Sequence, residues 1–531
     1  MAEAERTPMR RRDLIALIGA AAGADTAYQA MTALGFAAES NYSGPIRLDG
    51  DAKGTSVLIL GAGLAGLVAA YELNKAGYRV QLLEYEQRAG GRCWTLRGGD
   101  RFAELGGARQ SCEFDSGLYF NPGPWRIPYH HRALLDYCKR FRVALEAFIH
   151  VNHNAYIHSR NALGGRPQRA RHVVADFTGH VAELLAKAAN ANALSEPVTQ
   201  EDREKLLEAL RLWGALDRNY RYVKGEASSD HRGFDMDPGG GLSGAPEFSE
   251  PLGLSDLLNM GLWSEFGSRG EYDYQSPLFQ PVGGMDMIAR AFAREIGYLI
   301  RFNSKVTAIR QDGRRVTAVY EDARRPGKPE TATADWCICT IPLPVLAGIP
   351  MDAGPAMRAA IRAVSYATNA KVGLQFKRRF WEEDEAIYGG ISFTDLPIRQ
   401  ISYPSSGIQS SGKGVMLGAY AGGAEGVEFS VLTPPERIRR ALEYGAMIHP
   451  QMRREFETGI SVAWLRVPSA LGCFALWPAS ARAEHYANLC AIDGRIVLAG
   501  EHASYLTAWQ EGAVLSALDA ISRLHQRVLA G

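Results

Sequence analysis

Cysteine is scarce in this chain: there are 7 in 531 residues, scattered without regular spacing. That excludes the disulfide-dense framework of small secreted domains. Cys337 and Cys339 are close together inside an apolar, strand-like run, yet no second Cys or His pair stands at zinc-ligand spacing. They are expected to be buried thiols, and no metal site is expected. Excess charge is lacking too. Lys and Arg number 59 against 58 Asp and Glu, a net of +1. No global field is left to recruit nucleic acid or an anionic membrane, and neither is expected as a partner. Past residue 40 no apolar stretch reads as a membrane span, and there are no internal repeats or low-complexity segments. What remains is an ordinary globular composition, 46% hydrophobic and 22% charged, in a chain long enough for two or three domains.

Near the start, Arg10-Arg11-Arg12-Asp13-Leu14-Ile15 precedes an alanine-rich, mildly apolar stretch. Two arginines, a spacer and two apolar residues resemble a twin-arginine export signal. Asp25 interrupts the apolar part and no clean small-residue cleavage site follows, which suits an amphipathic helix packed on the body equally well. Export to the periplasm and a cytoplasmic location therefore both stay open.

The rest is organised around the stretch from Thr55 to Glu84. Val57 to Leu60 reads as a buried strand. Gly61-Ala62-Gly63-Leu64-Ala65-Gly66 follows at once, then a helix-like run to Ala76, a terminating Gly77, and a second strand that delivers Glu84 at its end. This is a βαβ start with a dinucleotide fingerprint. Gly61 allows the tight turn, Gly63 lets a pyrophosphate approach the backbone, and Gly66 lets helix and sheet pack closely. The helix N-terminus offers free N–H groups to the phosphates, and Glu84 stands where an acid would accept hydrogen bonds from an adenosine ribose.

Arg88-Ala89-Gly90-Gly91-Arg92 continues from that acid, and Glu104-Leu105-Gly106-Gly107-Ala108-Arg109 follows. With these the chain resembles the flavin amine oxidases, within the glutathione-reductase-like FAD enzymes. The resemblance extends over roughly 54–525 and includes Pro281-Val282-Gly283-Gly284-Met285, Asn369-Ala370-Lys371-Val372-Gly373-Leu374 with Phe380-Trp381, and the run from Gly494 to Glu501. It implies FAD as cofactor. The cofactor contacts it implies are Gly61, Ala62, Gly63, Leu64, Ala65, Gly66 and Glu84 at the fingerprint, Arg92 at the pyrophosphate, and Gly106, Gly107, Ala108 and Arg109. Val306 at the adenine, Gly500 and Glu501, and Trp509 and Ala513 on the last helix complete that set.

The resemblance also implies a substrate site. Lys371 would reach flavin N5 through a water, the catalytic role. Arg109 would pair with a substrate carboxylate, since a guanidinium fork suits bidentate recognition. Tyr403 would assist it, and Phe474, Ala508 and Trp509 would wall the substrate against the flavin. Gly472-Cys473-Phe474 looks like the Gly-Cys-Tyr of monoamine oxidases with covalent flavin, though the spacing to the next proline differs. The activity expected is that of an L-amino-acid oxidase: hydride transfer to flavin N5, hydrolysis of the imino acid, and peroxide from dioxygen. An amino-acid 2-monooxygenase, an amine or polyamine oxidase, and a non-catalytic flavin-binding scaffold are the alternatives. A homo-oligomer, a dimer, is expected.

The fold expected is α/β, with a discontinuous Rossmann-like FAD-binding domain, a strand-rich substrate domain and an inserted helical domain. Residues 1–53 form an N-terminal extension. The FAD-binding domain takes 54–110, 276–345 and 490–531, the substrate domain 111–150 and 346–489, and the helical domain 151–275.

Overall fold

The computed structural model describes residues 42–52, 54–194, 199–267 and 270–530. The arginine-rich segment at 10–15, and most of the expected extension, lie outside them. No helix among the described residues is long and apolar enough to cross a membrane.

Strand β1 (Ser56–Leu60) is buried beyond its first residue, as its aliphatic side chains require. Helix α1 (Leu64–Lys75) follows, and β2 (Arg79–Leu83) returns parallel to β1. The chain leaves α1 through Gly77 at φ +86°, a left-handed conformation that glycine adopts without strain. The sheet around them runs in the order Ile300–Arg301, β2, β1, Trp336–Cys339, Ile496–Leu498, Ile492–Asp493. All neighbours are parallel except the last pair. Leu67 and Val68 of α1 share a core with Val514 and Ile521 of the last helix, Gln510–Leu529, on one face. On the other face Leu58 and Leu60 pack with Ile309, Val316 and Met357. Ile309 and Val316 belong to an antiparallel pair, Ser304–Gln311 and Val316–Asp322, turned at Asp312-Gly313.

Next in the chain is a small exposed hairpin, β3 (Arg101–Ala103) with β4 (Arg109–Ser111). Helix α2 (Arg132–Arg140) starts on the carboxylate of Glu511, which accepts from Ala133 N at 3.0 Å and Leu134 N at 2.8 Å. An acid at a helix N-terminus satisfies orphan donors and complements the dipole.

A second, seven-stranded sheet is centred on β5 (Asn369–Phe376), which lies antiparallel between β6 (Gly414–Gly422) and β7 (Phe456–Ala463). Every residue of β5 is buried. Tyr156–His158 and Gln168–Arg169 are outer strands of this sheet. The helical run therefore begins at Ala170, not at 151. Its helices Ala170–Asn190 and Gln200–Trp213 pack through Ala182, Ala186, Leu207 and Leu210.

Candidate active site

The fingerprint turn is held from behind and open in front. A Cβ on Gly66 would sit 1.9 Å from the Gly61 carbonyl oxygen, and one on Gly61 would meet Thr340 Oγ1 at 2.6 Å. Close packing thus forbids side chains there. Gly63 is the opposite case: a Cβ built on it meets nothing within 4 Å, and its φ of −67° is ordinary. Gly63, Leu64 and Ala65 line a cavity of about 650 Å³. The N-terminus of α1 faces it with no side-chain cap, so its N–H groups are available to an anion. Ala62 is buried behind this wall. Glu84 stands at the end of β2, but its carboxylate is folded onto the turn. It accepts from Ala62 N at 2.5 Å and Glu86 N at 2.7 Å, and it does not line the cavity. Burial pushes its carboxyl up to about 7, against the opposing pull of those two N–H groups.

Along the cavity, Arg92 Nη1 donates to Glu501 Oε1 at 2.7 Å and to the Cys473 carbonyl at 2.8 Å. Gly500, Glu501, Cys473, Phe474, Ala508, Trp509 and Ala513 all line this part. Ala508 adopts φ +69°, unusual for a residue with a Cβ, and its N–H donates to Glu501 Oε2 at 3.3 Å. Trp509 is the N-cap residue of the last helix and provides no side-chain cap, so that helix also points uncapped N–H groups this way.

At the far end β5 supplies Lys371. It lies in the middle of the sheet, opposite Tyr420 of β6 and Val462 of β7, which excludes an edge-strand lysine turned to solvent. Its Nζ donates to the Gly123 carbonyl at 2.6 Å and sits over the rings of Trp125 and Tyr420, at 4.4 and 4.5 Å. Burial lowers its ammonium to about 7, and the nearby Arg126 guanidinium pulls in the same direction. Trp464 Nε1 donates to the Pro122 carbonyl at 2.9 Å, so the segment from Pro122 to Arg126 is tied at two points.

Arg126 is the side chain this segment delivers. It is 9% exposed and lines the cavity, with its guanidinium 4.4 Å from the Tyr274 ring centroid and 6.0 Å from that of Trp509. Its Nε and Nη1 have no hydrogen-bond partner among the described residues. Glu271 feels its charge, yet burial and Asp273 still push the Glu271 carboxyl up to about 7. A buried guanidinium with two unused donors is costly by itself and is built to receive an anion. Around the same cavity, Arg399 and Glu265 form an ion pair at 2.6 Å.

Several expected site residues are not brought here. Arg109 is exposed on the β3–β4 hairpin, and Gly106, Gly107 and Ala108 form its turn, with Glu104 N donating to the Ala108 carbonyl at 2.9 Å. The Gly-Gly pair serves the hairpin turn and not a close approach to a ligand. Tyr403 is 1% exposed in another core, its hydroxyl 2.6 Å from Ser392 Oγ and 2.6 Å from His449 Nε2. Val306 packs in the antiparallel sheet beyond β2 and does not line the cavity. Arg126 and Tyr420 line the cavity, where Arg109 and Tyr403 do not. The sequence signal for Arg126 is an arginine between Trp125 and Ile127, flanked by Pro124 and Pro128. For Tyr420 there is none short of the strand register.

With this geometry in view, comparison places the chain. The model of the flavin containing amine oxidoreductase family matches residues 64–524, and the chain belongs to that family. It is a flavin-dependent oxidoreductase with FAD as cofactor. The protein YobN of Bacillus subtilis (strain 168) is 29% identical over 87% of this chain and 93% of its own. An L-amino-acid oxidase of Siganus canaliculatus is 29% identical over 89% of this chain and 86% of its own. Among solved structures, a cyclohexylamine oxidase from Brevibacterium oxydans IH-35A shares the fold at a TM-score of 0.58 and 16% identity, covering 90% of this chain and 99% of that one. A putrescine oxidase bound to putrescine does so at 0.57 and 16%, with the same coverage. The residues fit the cofactor. One continuous cavity leads from the open space at Gly63, past the Arg92–Glu501 pair, to Lys371 and the uncapped helix at Trp509.

Proposed function

We propose that this chain is an L-amino-acid oxidase, converting an L-amino acid, dioxygen and water to a 2-oxo acid, ammonia and hydrogen peroxide. The observation that carries this reading is Arg126. An amine substrate has nothing to offer a buried guanidinium with two unused N–H donors, whereas an α-carboxylate accepts both. The relatives named L-amino-acid oxidase at 28–29% identity support the same substrate class.

When bound, FAD supplies the two-electron acceptor that dioxygen reoxidises. Gly63, Leu64 and Ala65 would hold its pyrophosphate, with Arg92 and Glu501 beside it and Ala513 and Trp509 at the ring end. Arg126 binds and orients the carboxylate. Trp509, Phe474 and Tyr420 confine the α-carbon and exclude bulk water. Lys371, whose ammonium is lowered to about 7, holds or gives up a proton at Nζ near neutrality and fixes the Arg126 segment through the Gly123 carbonyl. In the same proposal the parallel sheet and its helices form the FAD-binding unit, drawn from three separated stretches. The seven-stranded sheet forms the substrate unit, and 170–275 the helical insertion.

The test is product identification. Purified enzyme incubated with a panel of L-amino acids and their decarboxylated amines should release peroxide, ammonia and the 2-oxo acid from the former. An amide product would make it a monooxygenase, and peroxide from the amines alone would make it an amine oxidase.

A further inference from the structure

Behind the aromatic wall lies a second polar cluster that the oxidation does not use. His130 and His131 immediately precede α2, and Asp273 comes from the short helical turn Tyr272–Tyr274. All three are at least 96% buried, with exposures of 4%, 1% and 1%. Their ligand atoms lie within 4.8 Å of one another. Both ring nitrogens of His130, Nε2 of His131 and both carboxylate oxygens of Asp273 have no hydrogen-bond partner among the described residues. Buried polar atoms are almost always satisfied, so three residues that bring one ligand atom each to a common place, with no partner for them, indicate something absent from the protein chain.

We propose that His130, His131 and Asp273 bind a divalent transition-metal ion, of which zinc fits best. Two imidazoles and one carboxylate are a zinc-type donor set, with a fourth position left for water. His130 Nε2 and Asp273 Oδ1 are 3.2 Å apart without hydrogen-bond alignment. Two donors about 2.0 Å from one tetrahedral ion stand about 3.3 Å apart. The ligands are also held in advance. His130 stacks on Tyr272 at 4.2 Å, His131 meets Trp509 edge-on at 4.9 Å, and the start of α2 is fixed by Glu511. The ion would clamp the start of α2 to the 272–274 turn. That turn carries Tyr274, which packs on Trp509 at 6.0 Å and lies under Arg126. The site's role is thus to hold the wall that positions the carboxylate-binding arginine. No spacing in the sequence announces it, since the donors are separated by more than 140 residues and two are adjacent.

The test uses holoenzyme produced without a polyhistidine tag. After equilibration with Zn²⁺ and passage over a chelating resin, elemental analysis should find about one zinc per chain. Asp273→Asn and His130→Gln should each retain less than about a tenth of it, with flavin absorbance reporting that they fold. Stripping wild type with EDTA should lower Tm by at least about 2 °C, and Zn²⁺, not Mg²⁺, should restore it. If neither variant folds, Co²⁺ added to the stripped wild type decides alone, by visible bands beyond the flavin absorption. Wild type that takes up no zinc or cobalt, with a Tm indifferent to EDTA, would leave only a direct His130–Asp273 contact and overturn the proposal. So would zinc retained by both folded variants.

Discussion

At the fingerprint end of the cavity the wall is backbone: the turn at 61–63, the first N–H groups of α1 and the open space in front of Gly63. At the other end it is side chain. Trp125, Arg126, Lys371, Tyr420 and Trp509 come from four distant stretches and meet only because β5 and β6 are in register and the 122–126 segment is pinned. A backbone site depends on a few consecutive residues and tolerates any side chain that points away. A side-chain site depends on each contributor separately, so its parts can be removed one at a time.

The largest effect should come from filling the backbone end. Gly63→Val has an ordinary φ to adopt and no protein neighbour to strike, so the protein should fold. Its side chain enters the space proposed for the pyrophosphate. The expected product is a folded, colourless protein, checked by circular dichroism and flavin absorbance. Full flavin content would mean that the cradle lies elsewhere.

Lys371→Met probes the other end and should leave flavin in place. Turnover should fall by at least about tenfold, or ~1.4 kcal/mol of barrier, read by stopped flow in each half-reaction. The pH profile sharpens this. Lys371 is an ammonium below about 7 and a neutral amine above it. If the neutral Nζ assists, wild-type kcat rises with pH through that region, and the variant loses this limb. A profile unchanged by the substitution would confine Lys371 to holding the Gly123 carbonyl.

The smallest effect is expected at Arg109. An exposed hairpin arginine contributes little, and Arg109→Ala should change stability by no more than about 0.5 kcal/mol and kcat/KM hardly at all. A large loss of kcat/KM with an amino acid would return the carboxylate role to that hairpin.

The same contrast explains what could be read from the sequence. Strand, Gly61 to Gly66, helix and acid are consecutive, and each has a local physical reason, so the fingerprint was legible. Lys371 was legible because a lysine alternating inside an apolar strand is costly without a use. The two polar residues expected to bind the carboxylate, Arg109 and Tyr403, do not line the cavity. Leu-Gly-Gly-Ala-Arg satisfies a tight hairpin as readily as a ligand contact, and Tyr403 is a plain core tyrosine with partners Ser392 and His449. Arg126 follows the Pro-Gly-Pro run at 122–124, which carries no ligand-binding pattern of its own. Its position depends on Lys371 and Trp464 capturing the carbonyls of Gly123 and Pro122, contacts spanning well over 200 residues. Glu84 was placed correctly at the end of β2, but its side-chain direction is set by the bare N–H of Ala62, which no motif encodes.

The central claim is that Arg126 selects amino acids over amines. The most direct measurement is kcat/KM for one L-amino acid and its decarboxylated amine, on wild type and on Arg126→Met with flavin bound. The account predicts that the amino acid loses about two to three orders of magnitude, roughly 3–4 kcal/mol, while the amine, poor with wild type, changes far less. Equal losses for the two substrates, or a wild type that prefers the amine, would contradict it.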